Sequence, residues 1–262
     1  MYNTVLRAIH SSKDFHMKNM KITVAYDGTN YYGWQKQDGY RTVEGSILRA
    51  IDKVMHRDVR LATAGRTDKG VHAYGQVFNF QVADNYTEDN IRRGLNSFLT
   101  EDEILITKVE EVDDYFHSRF SAKGKHYRYI LNTDRLMHPM YRNYKGNTIH
   151  SLDLNKMREG AKLLVGHHDF QSFTNSKPDE PINTMRTIDS LEIVQDGDDF
   201  IFDIKAESFL RNMVRIIVGT LHEVGRGKRD LVWLENAIKK ADRTSAGPTI
   251  SAAGLYLIEV YY

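Results

Sequence analysis

The chain has 262 residues, 41% of them hydrophobic, with 36 basic residues against 35 acidic ones and no cysteine. At ~150 residues per domain this allows one large domain or two small ones, long enough to dispense with a metal or disulfide staple; it excludes thiolate nucleophiles, zinc fingers and Fe–S clusters. No apolar run reaches the ~18 residues of a membrane span, and residues 1–19 carry Arg7, Lys13, Asp14 and Lys18 without an apolar signal core, so a cytoplasmic protein with no membrane partner is expected.

Residues 1–19 read as a poorly ordered N-terminal extension, because the first strand-like pattern begins at Met20. Ile22, Val24 and Tyr26 alternate with polar neighbours and predict a half-buried strand. Thr42 caps a helix with Val43, Ile47, Ala50, Ile51 and Val54 on one face. Val59, Leu61 and Thr63 predict a strand broken by Gly65, and Val77 to Val82 a second one. Thr87 caps a helix with Ile91, Leu95 and Phe98 inward, and strands follow at 104–112 and 125–132. Asp153 caps a helix showing Leu154, Met157, Ala161 and Leu164. Strands at 184–194 and 200–206 flank a hairpin turn, 195–199. A strongly apolar helix runs from Phe209 to Val224, Asp230 caps another with Leu231, Leu234 and Ile238, and the chain closes on a strand at 254–262. This irregular alternation predicts an α+β fold with a mostly antiparallel sheet and flanking helices.

Charge is segregated locally despite the near-zero net value. Between His117 and Lys145 seven basic residues face one acid, Asp134, with four tyrosines interleaved; between Arg211 and Arg229 five basic residues face Glu223 alone. Such patches fit a polyanion with stackable bases.

Three short motifs lack a partner. Asp27-Gly28-Thr29 resembles a phosphatase nucleophile loop, but Ala25 stands where that chemistry needs a second Asp. Gly225-Arg226-Gly227-Lys228 lacks the Ser or Thr of a phosphate loop and reads as a helix C-cap with basic residues. In His167-His168-Asp169 adjacent side chains point apart, so a loop turning into Phe170 is favoured over a metal site. No metal site is expected.

The densest stretch is Ala64-Gly65-Arg66-Thr67-Asp68-Lys69-Gly70-Val71-His72-Ala73. Its glycines permit close backbone approach or positive φ. Arg66 and Lys69 favour the ionised form of Asp68, which suits a nucleophile, a base or an electrostatic stabiliser. An Asp turn held by an ion pair is the structural alternative.

This stretch resembles the catalytic loop G-R-T-D-A-G-V-H-A of the tRNA pseudouridine synthase A family. Four further ordered blocks are similar to that family: Tyr26-Asp27-Gly28-Thr29 with Tyr32-Gly33-Trp34-Gln35; Phe116-His117-Ser118-Arg119-Phe120-Ser121-Ala122 leading to Tyr127-Arg128-Tyr129; the helix around Met213-Val214-Arg215 with its cap at 224–228; and Gly254-Leu255-Tyr256-Leu257. Lys69 replaces the usual Ala, Arg211-Asn212 stands where an aromatic or His pair is common, and Ala246-Gly247-Pro248 matches only approximately.

The resemblance implies the pseudouridine synthase fold, with two similar α/β subdomains: a catalytic one over 20–115 carrying the Asp68 loop, and one over 116–262 sharing the sheet and the RNA-binding cleft. It implies isomerisation of uridine to pseudouridine in tRNA at positions 38–40 of the anticodon arm, with base flipping, without a cofactor, by a homodimer. Asp68 would be the catalytic carboxylate, Arg66 its partner and a filler of the vacated stack, and Tyr127 the residue stacking on the target base. Arg215, Lys125 and Arg128 would contact the RNA, and Leu255 would wall the pocket. A catalytically silent RNA-binding or chaperone module on the same fold is the competing reading; a phosphatase is opposed by Ala25.

Overall fold

A computed structural model describes residues 17–176 and 182–262. Strand β1 (Met17–Tyr26) begins three residues before the expected Met20; residues 1–16 of the expected extension lie outside the described residues. Thr42 caps α1 (Val43–Met55), its hydroxyl accepting from the Gly45 N–H. β2 is only Ala62–Thr63, and β3 runs His72–Ala83. The expected strand at 59–63 is therefore mostly loop: Val59 and Leu61 pack on the core as partly buried side chains, but only Ala62 and Thr63 find ladder partners on β3. Thr87 caps α2 (Glu88–Leu99), and β4 is Ile104–Val112. Phe98 is 49% exposed, because Leu99 takes the inward position beside Ile91 and Leu95.

In the second half β5 (Gly124–Asn132), β6 (Gly146–Asn147), α3 (Leu154–Leu164) and β7 (Gly166–Asp169) follow in order. The 167–169 segment is thus an edge strand rather than a loop, since its backbone pairs antiparallel with β8 (Met185–Asp196). β8 and β9 (Asp199–Ala206) form the expected hairpin over a two-residue turn, with Gly197 at φ 56°. Helix α4 is Met213–Gly225, four residues shorter at its start than expected. Asn212, in the left-handed region at φ 61°, breaks the helical path and leaves Phe209 free to pack edge-on against Tyr127. Asp230 caps α5 (Leu231–Lys240), and β10 (Leu255–Tyr261) closes the chain.

The main sheet order is β4-β1-β3-β10-β5-β9-β8-β7, with β2 on β3 and β6 on β5. Pairing is antiparallel except between β10 and β3 and between β5 and β6. The last strand lies between β3 and β5, so it stitches the strands before residue 115 to those after it. Helix α2 packs on β4, α3 on β8 and α4 on β5. Fully buried Ile22, Val24, Phe78, Phe202, Ile204, Ile216 and Ile217 belong to one continuous core, each such side chain contributing about 1.5–3 kcal/mol. Among the described residues no helix is long and apolar enough to cross a membrane.

Candidate active site

β2 hands the chain to the loop carrying Asp68. The ladder continues for one bond, Ala64 N–H to the Val77 carbonyl at 2.9 Å, and then the next two carbonyls are taken by side chains. Lys125 Nζ donates to the Ala64 carbonyl at 2.8 Å and Gln76 Nε2 to that of Gly65 at 2.8 Å. Thr67 points inward, its hydroxyl 2.7 Å from the Tyr26 hydroxyl. Val71 N–H then closes a four-residue turn on the Asp68 carbonyl at 3.2 Å. Gly70, third in that turn, sits at φ 78°, the position where a type II turn demands glycine. Asp68 therefore stands at the start of a tight turn, its side chain 36% exposed.

The segment after β1 is the bed on which this loop lies. A Cβ at Gly28 would meet the Val71 carbonyl oxygen at 2.0 Å, and one at Gly33 the Thr67 oxygen at 2.7 Å. Trp34 N–H donates to the Thr67 carbonyl at 3.0 Å, and its buried ring packs at 6.0 Å from both Tyr26 and Phe78. His72 is buried, with Nδ1 3.1 Å from the Gly28 nitrogen and Nε2 2.9 Å from the Asn143 carbonyl. The glycines of the first block are thus steric requirements of the Asp68 loop.

Arg215, on the first turn of α4, brings its Nη1 to 4.0 Å from Asp68 Oδ2. Its Nε donates to the Ile250 carbonyl at 2.7 Å and its Nη1 to Asn212 Oδ1 at 2.7 Å, fixing the guanidinium plane. Burial pulls the Arg215 pKa below its usual value while Asp68 and Tyr129 oppose that shift; an arginine stays charged throughout. Asn212 is a supporting residue the sequence reading missed; its place three residues before Arg215 was the available signal.

Tyr127, on β5, is nine-tenths buried and packs T-shaped on Phe209 at 5.0 Å. Burial pushes its phenol pKa up, with the charges of Tyr26 and Asp68 adding to it. Leu255 is buried on the neighbouring strand, opposite Tyr129 in register. Lys125 shares the Tyr127 face, two residues earlier on the strand. It is a largely buried amine whose pKa burial lowers to about 8, with Arg119 adding to the shift.

Three placements differ from expectation. Arg66 is exposed and, among the described residues, makes no ion pair; the cation nearest Asp68 is Arg215. Arg128 is on the opposite face of the sheet from Tyr127, as strand alternation requires. There it holds Asp203 through two 3.0 Å bonds, with His126 on the same carboxylate at 2.6 Å. Nor is 117–145 one cationic face: Lys145 is paired with Asp199 at 2.5 Å and Lys125 is turned into the site. Arg119, Lys123, Arg135 and Arg142 remain exposed. Among the described residues no cluster of three or more His, Asp or Glu groups offers a metal site.

The site therefore assembles a turn-held carboxylate, a half-buried guanidinium 4.0 Å from it and, on β5, a buried tyrosine. That set can act on an electrophilic carbon and stack a planar ring.

Comparison with known sequences gives a consistent picture. The sequence profile of a family described as tRNA pseudouridine synthase matches residues 22–121 and 161–262. The chain is 48% identical over 246 residues to tRNA pseudouridine synthase A of Finegoldia magna, covering 94% of this chain and 100% of that one. It is 42% identical to the protein of that name from a Thermoanaerobacter species, with the same coverage, and 42% identical to that of a Geobacillus species, covering 94% and 98%. Among solved structures it aligns with a crystal structure of a Cbf5-Nop10-Gar1 complex over 86% of this chain and 69% of that one, at 13% identity and a TM-score of 0.34.

Proposed function

The chain belongs to the tRNA pseudouridine synthase family, and from that premise we propose how the site described above performs the reaction. The enzyme is an isomerase that converts uridine to pseudouridine in tRNA. The bond from C1′ to N1 of uracil breaks, the base rotates, a bond from C1′ to C5 forms, and C5 loses its proton while N1 gains one. The atoms balance without an oxidant, a donor or a leaving group.

Asp68 is the catalytic carboxylate, acting on the reacting nucleoside as nucleophile or base. The observation that carries this is the Asp68 carboxylate at the start of its tight turn, 4.0 Å from the Arg215 guanidinium. Arg215 stands beside the carboxylate and orients it. Tyr127 supports the uracil ring, and Leu255 closes the apolar wall. Arg66, exposed and unpaired among the described residues, is free to enter the stack the target base leaves. Base flipping costs a few kcal/mol, which stacking and the phosphate contacts of exposed cations offset.

The targets are uridines 38–40 of the anticodon arm, and the working unit is a cytoplasmic homodimer whose clefts are built by both subunits. Residues 20–115 form the catalytic subdomain and 116–262 the subdomain that completes the cleft. Neither a metal nor a cofactor takes part. The test is a map of pseudouridines in unmodified tRNA incubated with and without the purified protein, with and without a chelator. New pseudouridine at 38–40 in both chelator arms is expected; none at any position would leave the silent RNA-binding module.

A further inference from the structure

Lys69, the departure inside the catalytic loop, has a specific neighbourhood. Its Nζ lies 4.6 Å from the centroid of the Tyr32 ring, and Tyr32 is stacked on Tyr40 at 4.2 Å and 25°. Both tyrosines are exposed, at 40% and 54%. The ends of the intervening loop are tied, Tyr32 N–H to the Arg41 carbonyl at 2.8 Å, which holds Tyr40 over Tyr32. The pair is also tied to the site. A Cβ at Gly33, next to Tyr32, would lie 3.2 Å from the Asp68 carbonyl carbon, and Lys69 follows Asp68 directly.

We propose that Tyr32, Tyr40 and Lys69 form a nucleotide subsite that holds an unpaired nucleotide flanking the target uridine. The proposal rests on the tRNA-isomerase reading. Two stacked rings at the edge of a catalytic loop expose aromatic surface to water and bury little of it in the core. An unpaired base offers a face of matching size, and stacking on tyrosine tolerates any base. The ammonium beside the rings adds what an apolar ligand would not need: a charge for the phosphate of the same nucleotide. A protein partner would also cover aromatic rings, but it would not explain an exposed cation one residue from the catalytic carboxylate. Lys36, exposed in the same loop, extends the charge, with Asp38 as its one acid between Tyr32 and Tyr40.

The test is a cycle of protein and RNA changes. Wild type, Tyr40→Ala, Tyr40→Phe and Lys69→Ala are titrated with an anticodon stem-loop, and with stem-loops made abasic at the nucleotide 5′ or 3′ of the target uridine. Tyr40→Ala is expected to weaken binding of the intact RNA about five- to twentyfold, with Tyr40→Phe restoring most of it. One abasic RNA is expected to lose a similar factor with wild type and almost nothing further with Tyr40→Ala. Lys69→Ala is expected to lower the salt slope by about one phosphate contact. Equal affinity of wild type and Tyr40→Ala, or abasic losses that multiply with the mutation, would overturn the subsite while pseudouridine formation by wild type upheld the enzyme. Absence of pseudouridine in the wild-type arm would overturn both.

Discussion

At the scale of single residues, the site depends on where side chains point. Asp68 was legible because its loop is a dense local pattern. Its ion-pair partner was not: Arg66 is near in sequence but exposed and, among the described residues, in no ion pair, whereas Arg215 reaches Asp68 from α4, far along the chain. Arg128 is the opposite case, since Tyr127 and Arg128 are neighbours on a strand and must face opposite ways. Arg215→Lys keeps the charge but not the fork that bonds Ile250 and Asn212 together. A kcat loss of at least ~tenfold, about 1.4 kcal/mol, is expected from single-turnover assays, and an unchanged kcat would remove Arg215 from the site. Lys125 gives a pH prediction. Its folded pKa, lowered to about 8, lies below its usual 10.5. Between those values the unfolded chain binds a proton that the folded chain does not, so this group makes stability rise with pH from about 8 upward. Relative to Lys125→Met, the wild type should gain about 1–2 kcal/mol between pH 7 and pH 9.5 in urea unfolding. A parallel pH dependence for the two proteins would contradict a buried Lys125.

At the scale of elements, strands and capped helices were legible wherever the pattern was local. Thr42, Thr87, Asp153 and Asp230 each cap the helix expected of them. The misses share a cause, which is that a tertiary partner decides the boundary. Residues 59–61 look like a strand but have no strand beside them, whereas 166–169 looks like a loop and pairs with β8. The left-handed Asn212 shortens α4, a backbone choice that composition does not announce. The bed of the Asp68 loop is the element most exposed to substitution. Gly28→Ala places a Cβ 2.0 Å from the Val71 oxygen, so a loss of about 1–3 kcal/mol is expected, with a larger loss of kcat because Asp68 moves with Val71. An unfolding midpoint and kcat both equal to wild type would show that the two loops are not in contact.

At the scale of the whole molecule, the sheet joins halves that the sequence shows only as similar runs of elements. β10 enters between β3 and β5, so it joins the strand that follows the Asp68 loop to the strand that carries Tyr127. A homodimer predicts a light-scattering mass twice the 30.3 kDa of one chain, and an active monomer would contradict it. Binding by localised cations predicts that log affinity falls with log salt at ~0.7–0.9 per phosphate contacted, and that Arg119→Glu, at an exposed position, lowers the slope. If Asp68 carries the chemical step and cations elsewhere carry binding, Asp68→Asn separates the two. The amide keeps the size and hydrogen-bonding capacity of the side chain but cannot act as nucleophile or base. Single-turnover isomerisation should fall below detection while tRNA affinity stays within ~tenfold, about 1.4 kcal/mol. Normal turnover by Asp68→Asn would contradict the account, and joint loss of binding and turnover would reduce Asp68 to a residue that merely holds its loop.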